Sequence, residues 1–213
     1  GIYYLRNKHM YNINEDDGLS DNYVYDIAIT KEGFIKAATD RGLNIISFSG
    51  EKKNIKIFSS KDGLPDNILR CLAETPDASS WLGMQDAGII CLDAKQGIQT
   101  SLPNWSSGQV NDIIATSSQV FIATEDNGLI VYDHDDKNRI TTRSYRDEHI
   151  KKINTLLRDR ESNIWAAGDH FLMRTAGSTI EMLYHLPKTS AENIHTLLFA
   201  ADKSLWFNEG DNL

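Results

Sequence analysis

"FIATEDNGLIVYD", residues 121–133, reads as two short apolar strands joined by a polar turn that ends in glycine. The same plan recurs in "FIKAATDRGLNII" (34–46), "WLGMQDAGIICLD" (81–93), "IWAAGDHFLMRT" (164–175) and "LWFNEGDNL" (205–213). Aligned on Ile35, Trp81, Phe121, Trp165 and Trp206, the segments lie 46, 40, 44 and 41 residues apart, a mean of about 43. Three of the four tryptophans fall in this column. A period of this length is the mark of a repeat architecture.

A second column lies about ten residues upstream of the first, with apolar residues at i and i+3: Val24/Ile27, Ile68/Cys71, Val110/Ile113, Ile153/Leu156 and Ile194/Leu197. These runs are short, β-branched and bounded by turn residues, so they read as strands. Side chains at i and i+3 of a regular strand point to opposite faces, which predicts a strand buried on both. Each repeat then has four strands: a buried strand a, the aromatic strand b, a strand c after a tight turn, and a variable strand d. Four short antiparallel strands in about 43 residues are the size of a β-propeller blade. Small residues after the aromatic column (Ala37, Gly83, Ala123, Ala167) suit a crowded surface between blades. Gly42, Gly88 and Gly128 suit positive φ in the b–c turn. The fourth and fifth repeats lack this glycine, so their turns should differ.

The fold expected is therefore all-β, a β-propeller of four-stranded antiparallel blades with five repeat units. "GIYYLR" at the start matches strand c, and the chain stops just after a strand b. Residues 1–13 supply strands c and d, residues 14–58, 59–104, 105–145 and 146–185 four repeats, and 186–213 strands a and b. These units either close a five-blade ring, with 1–13 pairing against 194–213, or form an arc of a larger propeller. Starting at Gly1 without Met, the chain reads as a piece of something longer. "DDGLSDN" (16–22) and "KDGLPDN" (61–67) fall at the d–a connection, where Asp62-Gly63 makes the bend and Leu64 packs between blades.

Together the columns resemble the two-component regulator propeller repeat. "DGLSDNYVYDI" and "DGLPDNILRCL" match its first half, and "WLGMQDAGIICLD" and "FIATEDNGLIVYD" its second. Repeats three to five lack the G-L-x-D-N element. The resemblance implies a periplasmic sensing region of a hybrid two-component histidine kinase of Bacteroidetes type, which detects oligosaccharides and switches on polysaccharide-utilisation genes. It implies signalling by homodimerisation through the full-length sensor. No kinase, receiver or DNA-binding segment lies in these residues.

Composition sets limits. The net charge of −8 argues against nucleic acid or an anionic membrane surface as partner of this segment. No apolar run approaches the ~20 residues of a spanning helix, so attachment to a membrane would need segments not present here. Cys71 and Cys91 match no metal or redox spacing. They fall on strands a and c of one blade, two strand spacings or roughly 9–10 Å apart, beyond disulfide reach. Two free, buried thiols are expected.

Strand alternation puts the d–a and b–c loops on one face, which is polar and acidic. Carbohydrate recognition wants planar polar groups beside an aromatic platform. The b–c loops offer Arg41, Gln85, Asp86, Glu125, Asp126, Asp169, His170 and Glu209, and the "PNWSSG" loop offers Trp105 as a platform. Against this, acidic and amide turn residues commonly bond their own backbone, and His170 reads as a turn residue. Trp81, Trp165 and Trp206 are expected in the core. No catalytic or metal motif and no cofactor site is indicated. A protein-binding scaffold is the alternative function, and a propeller glycoside hydrolase or lyase, served by paired carboxylates, a more distant one.

Overall fold

The structure, a computed structural model, describes residues 1–93, 95, 97–99, 108–134, 140–146, 150–176, 179–185 and 193–208. Among these residues it is all-β, apart from two single-turn 3-10 helices, and the chain divides into two compact units, Gly1–Gln109 and Val110–Leu213. In the first unit, β1 (Ile2–Arg6) and β2 (His9–Ile13) form a hairpin. Next, β3 (Val24–Ile29), β4 (Ile35–Thr39), β5 (Gly42–Ser49) and β6 (Lys52–Phe58) form a four-stranded antiparallel sheet in chain order. A second such sheet comprises β7 (Leu69–Glu74), β8 (Ser80–Met84), β9 (Ile89–Leu92) and β10 (Ile98–Gln99). The second unit repeats the plan with β11 (Val110–Ala115), β12 (Gln119–Thr124), β13 (Leu129–His134) and β14 (Ile140–Tyr145). It continues with β15 (Ile153–Arg158), β16 (Ile164–Gly168), β17 (Phe171–Ala176) and β18 (Thr179–His185), and then the hairpin β19 (Leu197–Phe199) with β20 (Leu205–Phe207). Within the described residues each terminal hairpin is a two-stranded sheet of its own.

Strand a departs from the expectation in one instructive way. In all four complete sheets its register against strand b slips by one residue: between Val24 and Asp26, Leu69 and Cys71, Val110 and Asp112, and Ile153 and Thr155. Val110 pairs with Thr124 and Ile113 with Ile122, two residues apart on β12 and so on one face. The bulge therefore brings the i and i+3 apolar residues to the same side, and no two-sided burial is required. In the second repeat the pair is Leu69/Leu72, one residue later than the Ile68/Cys71 read from sequence. β3 is the least covered of these strands, with Ile27 46 % and Ile29 71 % exposed.

The aromatic column needs the same one-residue correction in the first repeat. Ala73 pairs with Trp81 and Ala28 with Lys36, so Lys36, not Ile35, holds the column, and Ala38, not Ala37, matches Gly83. Lys36 is buried because its ammonium bonds the Glu74 carboxylate at 2.9 Å and the Ser80 hydroxyl on the next sheet. That charge pairing is what lets a lysine stand at an apolar position. Trp81 is buried and Trp165 half-buried, but Trp206 is 64 % exposed, contrary to expectation. Its hairpin has no third strand among the described residues.

Within each unit, one four-stranded sheet buries a face against the following one. Leu43, Ile45 and Phe58 of one sheet pack on Leu72, Leu82, Met84 and Leu92 of the following one. Phe121, Leu129 and Val131 pack in the same way on Leu156, Ile164, Ala166 and Phe171. Ile2 and Ile13 of the first hairpin cover Leu19, Ala37 and Ile46. Side chains also tie the sheets together. Leu72 N–H donates to Asp26 Oδ2 at 2.8 Å, and Leu156 N–H to Asp112 Oδ2 at 2.7 Å. Strands β7 and β15 are each the edge of their own sheet, so these carboxylates satisfy edge amides.

The repeated d–a turn is built the same way twice. Ser60–Asp62 forms one 3-10 turn, closed by a reciprocal cap between Ser59 and Asp62 and ended by Gly63 at φ 105°. Glu15–Asp17 has the same cap from Asn14 and Asp17 and ends at Gly18, φ 101°. Asn67 holds the turn by accepting from Ser60 N–H at 2.7 Å and donating to its hydroxyl at 3.1 Å. Leu64 is buried between two sheets and Leu19 beneath the first hairpin. The matching connections of the later repeats (101–107, 147–149, 186–192) lie outside the described residues.

Gly42, Gly88 and Gly128 have positive φ, as expected. A Cβ on Gly42 would lie 2.4 Å from the Phe58 carbonyl, and Gly42 N–H donates to the Asn67 carbonyl at 2.8 Å, so the b–c turn docks on the next d–a turn. In the fourth repeat the glycine precedes the turn as Gly168, and His170 takes the left-handed conformation at φ 65°.

Cys71 and Cys91 are free and buried on β7 and β9, with β8 between them. Burial pushes the Cys91 thiol up to about 12. Neither thiol should react with an alkylating reagent in folded protein, and both should react once unfolded without reductant; a reagent-resistant unfolded chain would contradict the strand order. Leu64→Ala should cost about 2–5 kcal/mol of unfolding free energy, read by urea denaturation. A change below about 0.5 kcal/mol, the size of an ordinary surface substitution, would mean that Leu64 does not join the sheets.

Candidate functional site

The bulge that shapes each sheet also pushes one residue of strand a toward the b–c turn: Tyr25, Arg70, Asn111 and Asn154. Each unit thus carries a row of polar contacts at this rim. In the first unit the Arg70 guanidinium lies 4.3 Å from the Tyr25 ring centroid. A hydrogen bond from Tyr25 to the Asp40 carboxylate, then burial, raises the phenol above the ordinary tyrosine value. In the second unit Glu125 accepts from Asn111 at 3.1 Å and pairs with Lys152 at 3.1 Å, and Asp169 accepts from Asn154 at 3.4 Å.

The residues proposed from sequence occupy the b–c turns, but most are already engaged. Arg41 pairs with Asp21 at 3.1 Å and Glu15 at 3.3 Å, both of the preceding d–a loop. Gln85 donates to Gln109 at 2.8 Å. Asp86 and Asp126 are exposed. Asp86 N–H donates to Asp66 at 3.1 Å, leaving its own carboxylate on the surface. Asp169 forms a β-bridge with Asn193, and His170 makes the tight turn expected of it. Trp105 and Glu209 lie outside the described residues. Sequence reasoning missed Tyr25, Arg70, Asn111, Lys152 and Asn154. For Tyr25, Arg70, Asn111 and Asn154 the signal was a polar or aromatic residue inside a strand otherwise chosen for apolar periodicity, which marks a bulge; Lys152, just before β15, carried no such signal.

Chemically the rim presents amides, carboxylates, a guanidinium and a tyrosine ring, groups suited to bridging hydroxyls of a polar ligand. Among the described residues no cluster of three histidine, cysteine or acidic side chains could hold a metal ion. Asp40→Asn should return Tyr25 toward the ordinary tyrosine titration, followed by NMR of labelled tyrosine. An unchanged Tyr25 would exclude the Asp40 bond as the cause.

No family model matches the sequence, and no curated relative does. Solved structures do. The extracellular domain of a protein described as a hybrid two-component system, BT3049 of B. thetaiotaomicron, matches with a TM-score of 0.77 at 18% identity, over 96% of this chain and 29% of that one. The extracellular domain described as that of a one-component system, BT4673 of the same organism, matches with a TM-score of 0.69 at 19% identity, over 93% of this chain and 31% of that one. Virginiamycin B lyase of Staphylococcus aureus matches with a TM-score of 0.64 at 18% identity, over 88% and 63%. The chain thus spans under a third of the two extracellular domains. At these identities the likeness is one of fold: an all-β, propeller-like succession of four-stranded antiparallel sheets, shared with extracellular sensor domains and with a lyase.

Proposed function

We propose that this chain is an extracytoplasmic ligand-sensing propeller segment of a two-component sensor that responds to oligosaccharides and controls polysaccharide-utilisation genes. The observation that carries the reading is the fold match over 96% of the chain to the extracellular domain of a hybrid two-component system. It joins the resemblance of "DGLPDNILRCL" and "WLGMQDAGIICLD" to the regulator propeller repeat. No helix among the described residues is long and apolar enough to cross a membrane, in keeping with membrane attachment through other segments. Signalling in this reading passes through dimerisation of the full-length sensor. The first unit's rim with Tyr25, Asp40 and Arg70 is the surface proposed to meet the sugar, with Asp86 as a further contact.

A thermal-shift screen against plant and host oligosaccharides tests this. A ligand at 100 times its Kd adds about 2.7 kcal/mol of stability, which a melting curve resolves. Arg70→Ala should abolish the shift of any ligand bound at the rim. A flat response from the full extracytoplasmic region would favour a protein-binding scaffold. The likeness to virginiamycin B lyase favours an enzyme as the second reading. Turnover of any glycan in the same library would favour it over a sensor.

A further inference from the structure

At the opposite end of the strands, in the second unit, a cavity of about 190 Å³ opens between the β15–β16 turn and the β19–β20 turn. Its floor is aromatic: Trp165 and Phe199 meet edge to face with ring centroids 5.5 Å apart. The Arg174 guanidinium lies 5.6 Å from the Trp165 ring centroid, and Arg160 and Lys203 line the mouth.

The charges are unevenly committed. Asp159 accepts four hydrogen bonds, from the amides of Glu161 and Asn163, from Asn163 Nδ2 and from Trp165 Nε1, at 2.8 to 3.0 Å. Burial pushes its carboxyl up, but these bonds prevail and hold it below the ordinary aspartate value. Asp159 is therefore spent on its own turn and on orienting the indole. Glu161 is the other acid at the wall, and it is exposed. Besides the Trp165 ring, Arg174 meets Glu181 in a 3.6 Å ion pair, and its Nε is the single buried side-chain polar atom without a partner among the described residues. A buried N–H donor left unpaired is costly, and it marks a guanidinium that the chain's own acceptors do not saturate.

We propose that this cavity binds a small organic carboxylate that carries an apolar face, with its carboxylate on Arg174 and that face on the Trp165–Phe199 floor. Arginine suits the role because its planar fork matches a carboxylate and leaves further donors for Glu181. Arg160 and Lys203 draw the anion toward the mouth, and the volume, below the ~300 Å³ of an ordinary ligand pocket, limits it to about one ring. Two sources share this chemistry, a uronic acid and an aromatic carboxylate. The site is independent of whatever the Tyr25–Arg70 rim binds.

The test follows the Trp165 indole N–H resonance, assigned with Trp165→Phe, during titration with D-glucuronate, benzoate and, as the neutral control, D-glucose. The proposal expects a saturable shift of this resonance, with the other indoles still, for at least one carboxylate and none for glucose. Which carboxylate binds names the source. Arg174→Gln should weaken binding roughly tenfold or more, and Arg174→Lys should restore only part of it. Lys203 is exposed, so Lys203→Glu should fold normally and weaken binding too. Lack of saturation by either carboxylate at tens of millimolar, an equal response to glucose, or affinity unchanged in both Arg174→Gln and Lys203→Glu would overturn the assignment.

Discussion

One extra residue in the first strand of each four-stranded sheet organises this molecule. Without it, Val110 and Ile113 would face opposite ways, and one of them would stand outside the core. With it, both lie over β12 on the side of Ile122 and Thr124, and both are buried. The bulge also turns an edge into a junction. The Asp26 carboxylate reaches Leu72 N–H, and Asp112 reaches Leu156 N–H in the same geometry, so the exposed edge of one sheet is satisfied by its predecessor. The same displacement aims Tyr25, Arg70, Asn111 and Asn154 at the b–c turns. Scaffold and rim share one cause.

This explains why an acidic, amide-rich surface holds so few uncommitted groups. The Asp-Asn steps at 21–22 and 66–67 are consumed in capping their own turns, and Asp21 also fixes Arg41. Function has to use what remains: the tyrosine and arginine at the first unit's rim, the exposed Asp86 and Asp126, and, at the far end of the second unit, the underused Arg174. The two ends of the second unit differ in character, since one carries amides and carboxylates and the other an aromatic floor beside cations.

Much of the architecture was legible because it depends on periodicity. The strand order, the b–c glycines, the packing of Leu64 and the separation of Cys71 from Cys91 all follow from a repeat of four short strands. What was not legible depends on pairing at a distance. Lys36 holds an apolar position only because Glu74, 38 residues later, neutralises it, so a search by hydropathy settled on Ile35 instead. A bulge adds one residue without changing composition, so it hid inside the i, i+3 pattern and was read as two-sided burial. Trp206 was assigned to the core by its column, whereas burial depends on neighbouring strands that the described hairpin lacks. The Trp165–Arg174 cavity joins two turns some 40 residues apart, and neither turn signals it alone.

The most direct test of this account is amide hydrogen exchange at Leu72 and Leu156. Both should exchange as slowly as amides inside the sheets, although each lies on a strand edge. Asp26→Ala should accelerate Leu72 and leave Leu156 slow, and Asp112→Ala should do the reverse. Fast exchange at both sites in the intact protein, or slow exchange that survives both substitutions, would contradict the claim that these carboxylates join one sheet to the next.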